Sequence, residues 1–327
     1  MESKALKATT LSPETDSEKH LAAVEADIGS ALGFETELEL LQSTIARWVD
    51  GCNKEMDDCL RWQFLGKSKY FRPVTVFSCF KAMNNRDVGD EEQTSALVIE
   101  LIHNMTLIVD DILDQSQYRR GKLTLHGQFG LLPALMASGY IVSEAYRIVG
   151  SRPASIRLLS ELIGRLGIAE CLQWRVRSQP LGVEDWRQIA GEDTGSMFEV
   201  CACLGGDGET LRRFGRLLGM LYHGCDDVAD VRGVEALGGG GDDDIRDGIL
   251  TLPAAIAIRN PDTAAIFCNS DERKREGLAA AFQAALPEAE QILDEIAAEA
   301  FREATRNAPY PRGLLTLVDY TRGLSHR

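Results

Sequence analysis

The sequence predicts an all-α domain, and three observations carry that prediction. Apolar residues recur at helical spacing through most of the 327 residues, alternating runs bounded by hairpin turns are essentially missing, and a hydrophobic content of 44% supplies a substantial core. Charged residues make up 26%, the balance of an ordinary globular protein. With 35 basic against 50 acidic residues the net charge is −15. That argues against nucleic acid as a main partner, although local cationic clusters can still hold a phosphorylated ligand. No uncharged apolar run is long enough for a transmembrane segment. The polar stretch MESKALKATTLSPETDSEKH lacks the apolar core of a secretory signal, so a cytoplasmic location is expected. The eight cysteines show no CxxC spacing and read as reduced core residues.

Taken in order, residues 1–20 are expected to form a disordered polar tail and residues 21–327 a single domain. Leu38, Leu40, Leu41, Ile45 and Trp48 predict two helices over about 34–64, broken near Asp50-Gly51. The loop LGKSKYF leads to Arg72 and Pro73, with Pro73 expected as the first residue of a helix running to about Met83. Helical patterns follow at about 91–115, 132–149, 154–177, 183–204, 209–230, 251–259, 271–304 and 312–323. Four glycines at 238–241, followed by Asp242, Asp243 and Asp244, predict a mobile loop, because glycine runs do not hold a helix.

The stretch ELIHNMTLIVDDILDQSQYRRGKLTLH, residues 100–126, is an apolar helix pattern that ends in Asp110, Asp111 and Asp114. Asp110 and Asp114 are four residues apart and share one helix face; His103 lies two turns earlier on nearly the same stripe. Ionised carboxylates are rarely buried without partners. Asp226, Asp227 and Asp230 repeat the DDxxD pattern at the end of a second apolar helix. One acidic triplet is usually solvated surface. Two, each closing an apolar helix, would repel across a bundle unless cations lay between them. Magnesium suits all-oxygen ligation and bridges carboxylates to phosphates, which points to diphosphate chemistry. Lys69 and Arg72, before a helix, and Arg119 and Arg120, after the first aspartates, are candidate anion ligands; alone, such residues are more often surface cations or helix caps.

The ordered set KSKYFRP, ELIHNMTLIVDDILDQSQYRRGKLTLHGQFG, EDTGSMFEV, MLYHGCDDVAD and DIRDGILTLP resembles the trans-isoprenyl diphosphate synthases, the polyprenyl synthetases that include farnesyl and geranylgeranyl diphosphate synthases. The match spans about residues 65–258, and its long central segment is highly specific. The resemblance implies a single helical bundle of the isoprenoid synthase type with a central active-site cavity, usually a homodimer. It implies head-to-tail condensation of isopentenyl diphosphate with an allylic diphosphate. Lys69, Arg72, His103 and Arg120 would hold the isopentenyl diphosphate. Asp110 and Asp114, supported by Asp111, would ligate magnesium on the allylic diphosphate, and Asp226 with Asp230 or Asp227 would hold a further ion, three in all. Arg119 would contact the allylic diphosphate, and Thr194 would help stabilise the developing cation.

The pattern also breaks. The family's lysine–threonine pair reads Asp193-Thr194, its phenylalanine–glutamine reads Tyr222-His223, one lysine falls near Gly240, and a later glycine–lysine reads Gly248-Ile249. Each lost cation should weaken diphosphate binding by about 1–3 kcal/mol, with His223 or Arg246 as partial substitutes. Besides a chain elongase, two other readings stand: a class I terpene synthase, and a non-catalytic subunit that partners an active synthase. Chain length in this family depends on residues just before the first aspartates, here Met105 and Thr106, which points to C15–C25 with geranylgeranyl diphosphate at the centre.

Overall fold

The computed structural model describes residues 28–66, 68–119, 121–233, 241–269 and 277–326, so the expected N-terminal tail lies outside the described residues. The described chain is almost wholly helical. Helices α1 (Glu35–Asp50), α2 (Asp57–Phe64), α3 (Phe71–Asn84) and α4 (Asp90–Leu113) come first. A hairpin of two-residue strands, β1 (Tyr118–Arg119) and β2 (Lys122–Leu123), leads to α5 (Leu125–Phe129), α6 (Leu131–Val149), α7 (Pro153–Val176), α8 (Val183–Glu192), α9 (Thr194–Gly205) and α10 (Arg212–Arg232). The C-terminal third holds α11 (Gly241–Asp247), α12 (Leu252–Ala257), α13 (Pro261–Phe267), α14 (Leu278–Asn307) and α15 (Arg312–Arg322).

Most boundaries follow the expected periodicity, and the departures have local causes. The pattern over 183–204 is two helices, because Asp193 (φ −77°, ψ −96°) leaves helical geometry and its carbonyl accepts the Ser196 hydroxyl at 2.9 Å. Pro73 is the third residue of α3, where its missing N–H still costs nothing, since the first turn has no intrahelical acceptors. The glycine run is expected as a loop, yet residue 241 opens α11; residues 234–240 lie outside the described residues.

One contiguous apolar cluster joins the helices, with α4, α9 and α10 at its centre. Helices α9 and α10 pack backbone to backbone. A Cβ at Gly219 would lie 2.7 Å from the Gly195 Cα and 2.8 Å from the Thr194 carbonyl oxygen, so only glycine permits that approach. Buried Glu199 on α9 pairs with Arg165 of α7 at 2.9 Å and with Arg212 of α10, which fixes the three helices laterally. The eight cysteines are free thiols. Among the described residues no helix is long and apolar enough to cross a membrane.

Candidate active site

A cavity of about 600 Å³ opens between α3, α4, α7, α9 and α10. A smaller one of about 230 Å³ adjoins it and shares Asp114, Gln173, His223 and Asp226 with it. Together they bring both aspartate clusters, contributed by α4 and α10, to one space.

One end of the large cavity is cationic. Tyr70 takes left-handed backbone geometry (φ 46°, ψ 28°), uncommon for a bulky residue, and this sharp turn brings buried Lys69 and the start of α3 to the cavity wall. Arg72 donates from Nη1 to His103 Nε2 at 3.0 Å, which makes Nε2 the unprotonated nitrogen, since guanidinium only donates. The guanidinium also lies 5.4 Å from the centre of the Phe198 ring. Beneath, buried Glu100 accepts from the Ser68 hydroxyl (2.8 Å) and the Asn104 amide (3.2 Å). Arg120 lies outside the described residues.

The other end is acidic. Asp110 lines the large cavity; burial, Glu170 and Asp193 hold its carboxyl well above the usual range, Arg119 opposes them and Asp114 adds to them. Glu170, on α7, is pushed up to about 7 by burial, Asp193 and Asp114, against the pull of Arg177. Asp111 turns away from both cavities and accepts from Arg119 Nε at 2.7 Å; burial still raises its carboxyl despite that arginine. Asp114 accepts from Arg177 Nη2 at 2.9 Å.

In the second cluster, Asp226 lines both cavities and Asp230 the smaller one. Asp227 serves mainly to hold the helices together, since its Oδ2 accepts the Trp186 indole N–H and the Leu252 backbone N–H, each at 2.8 Å. His223 Nδ1 lies 3.0 Å from the Thr194 hydroxyl, which in turn donates to Asp193 at 3.2 Å. Burial pulls the His223 imidazole down, yet Asp227, Asp193 and Asp226 leave it above its ordinary value. Asp244 of α11 faces this group; burial, then Asp227, Asp230, Asp226 and Asp114, hold its carboxyl well above the usual range.

Sequence reading missed Glu170, Arg177 and Asp244, because each lies outside a DDxxD pattern and reaches the site only through tertiary packing. Arg246, considered as a substitute cation, pairs with Asp247 and lines neither cavity. Phe71 and Tyr222, with ring centres 4.9 Å apart, add aromatic surface to the cavity between its two ends.

Oxygen donors dominate the acidic end, and among the described residues no three ligating side chains close into a ready-made metal cage. An all-oxygen donor set is the kind that a hard cation such as magnesium takes.

A model of the polyprenyl synthetase family matches residues 53–286. The nonaprenyl diphosphate synthase of Mycobacterium tuberculosis is 29% identical over 312 residues, covering 87% of this chain and 90% of that protein. Geranylgeranyl pyrophosphate synthase 4 of Arabidopsis thaliana is 29% identical over 274 residues, covering 74% and 72%. The heptaprenyl diphosphate synthase structure from Staphylococcus aureus superposes with a TM-score of 0.76 over 96% of this chain and 99% of its own, at 19% identity, a likeness of fold.

Proposed function

The chain belongs to the polyprenyl synthetase family and is a trans-prenyltransferase, and on that premise we propose that it joins isopentenyl diphosphate head-to-tail to an allylic diphosphate, using magnesium held at the two aspartate clusters. One observation carries this reading: both DDxxD clusters border connected cavities whose far end presents Lys69, Arg72 and His103. Lys69 and Arg72 supply charge-assisted hydrogen bonds to the isopentenyl diphosphate, with His103 orienting the guanidinium. Asp110, Asp114, Asp226 and Asp230 would hold the magnesium ions, three by the family pattern, while Asp111 fixes Arg119 toward the site. Bound magnesium supplies neutralisation of the charge that develops on the leaving diphosphate.

As the allylic carbon–oxygen bond breaks, the Thr194 hydroxyl, oriented by His223 and Asp193, and the faces of Phe71 and Tyr222 lie where positive charge develops. The apolar wall excludes water from that cation. The isopentenyl double bond then forms the new carbon–carbon bond, and the proton lost from the adjacent carbon passes to the released diphosphate.

Met105 and Thr106 both line the cavity, which supports a medium-length product, C15–C25 with geranylgeranyl diphosphate at the centre. Exposed Leu132 (68%) and Met136 (53%), one turn apart on α6, offer an apolar strip suited to a homodimer. The test is incubation of purified protein with labelled isopentenyl diphosphate, each allylic primer and magnesium, followed by product-length analysis. Linear diphosphates are expected. Cyclic hydrocarbon from primer alone would establish a terpene synthase instead. No turnover unless another synthase is added would establish a partner subunit in a heteromer.

A further inference from the structure

We propose that Arg177 is a binding residue for the allylic diphosphate, delivered to the acidic end of the cavity from the end of α7; the inference rests on the reading of that cavity given above. Arg177 follows the last helical residue, with extended backbone (φ −52°, ψ 137°). Ser178 then turns the chain in left-handed geometry (φ 59°), and its N–H donates to the Gly248 carbonyl at 2.8 Å. This link ties the end of α7 to the segment after α11, so the position of Arg177 is set by two parts of the chain that both border the site.

The side chain is held by packing as well. Its guanidinium lies 4.8 Å from the centre of the Trp174 ring, and Nη2 reaches Asp114 Oδ1 at 2.9 Å. Nε is buried and has no hydrogen-bond partner. A buried donor without an acceptor costs free energy, and a ligand oxygen would remove that cost. The group lines the large cavity, where such a ligand would lie.

The charge balance there explains the need for it. Asp110, Asp114, Glu170, Asp193 and Asp226 all line this space. Of the arginines facing them among the described residues, Arg119 is engaged by Asp111, a carboxylate outside both cavities. Arg177 instead pairs with Asp114, one of the proposed metal ligands. With Asp114 serving as a ligand of bound magnesium, the planar fork of Arg177 would be free to meet the diphosphate with parallel N–H donors. A purely structural role would instead lower the melting temperature and both substrate affinities together.

The experiment is calorimetric titration, in magnesium buffer, of geranyl diphosphate alone and of isopentenyl diphosphate alone into the parent chain, Arg177→Gln and Arg177→Lys. Neither substrate alone is elongated, so binding is read without turnover. The proposal expects Arg177→Gln to weaken geranyl diphosphate binding about tenfold to hundredfold. Isopentenyl diphosphate affinity should stay at the parent value, and Arg177→Lys should recover part of the loss. Geranyl diphosphate affinity unchanged in Arg177→Gln, or both affinities lowered together with the melting temperature, would overturn it. A parent chain that binds no geranyl diphosphate would instead overturn the reading of the cavity, and this inference with it.

Discussion

On the proposed reading, the two ends of the cavity solve the same problem, holding a diphosphate, in opposite ways. At the Lys69–Arg72–His103 end the protein presents its own cations, steered by a left-handed Tyr70 and a hydrogen-bonded imidazole. At the aspartate end burial first, and neighbouring acids after it, push Asp110, Glu170 and Asp244 toward their protonated forms. The first end is complementary to an anion as it stands. The second becomes so only with cations added. This difference separates a substrate that must be held intact from one whose leaving group must be neutralised for its bond to break.

The largest expected effect is at the acidic end. Asp110→Ala should lower kcat/KM for elongation by at least about a thousandfold, or ~4 kcal/mol, because it removes a carboxylate that would hold magnesium on the proposed reading. A loss below tenfold in steady-state assays would contradict the metal-bridging role. At the cationic end, Arg72→Gln should raise KM for isopentenyl diphosphate by about tenfold to hundredfold while leaving KM for the allylic substrate alone. Equal changes in both would erase the distinction between the ends.

Gly219→Ala tests the packing beneath the acidic end. The added Cβ meets the Gly195 and Thr194 backbone under 3 Å, so thermal unfolding should report a loss of about 1–3 kcal/mol, the usual cost of overpacking.

The smallest effect concerns Glu170. Its folded carboxyl titrates near 7 against an ordinary 4.5. A raised carboxyl means the folded state favours the proton, so that contribution is complete below about 4.5 and is lost as pH rises through 7. In chelator, Glu170→Gln should therefore melt increasingly above the parent chain between pH 5 and 8. A constant difference across that range would show that Glu170 carries no such burden.

The two aspartate clusters were legible in the sequence because each falls at fixed spacing along one helix: Asp110 on α4 with Asp114 at its C-cap, and Asp226 and Asp230 on α10. So were most helices, since apolar periodicity is a local property. Glu170 and Arg177 were not legible, because α7 carries no motif and meets α4 only in three dimensions. Asp193 read as a lost lysine; the structure adds that it breaks one expected helix in two and anchors the Thr194 hydroxyl. The division of labour within Asp110-Asp111 and Asp226-Asp227 was also hidden. Neighbouring residues on a helix point about 100° apart, so Asp110 and Asp226 line the large cavity, while Asp111 is held by Arg119 and Asp227, at the smaller cavity, by Trp186.

The most direct test of this two-ended account is the magnesium dependence of each substrate's affinity, measured by calorimetry with the ion present and with it chelated. The account predicts that chelation leaves isopentenyl diphosphate binding nearly unchanged and weakens geranyl diphosphate binding by about a hundredfold or more, the loss of two charge-assisted contacts. Equal losses for both substrates, or no loss for geranyl diphosphate, would contradict it.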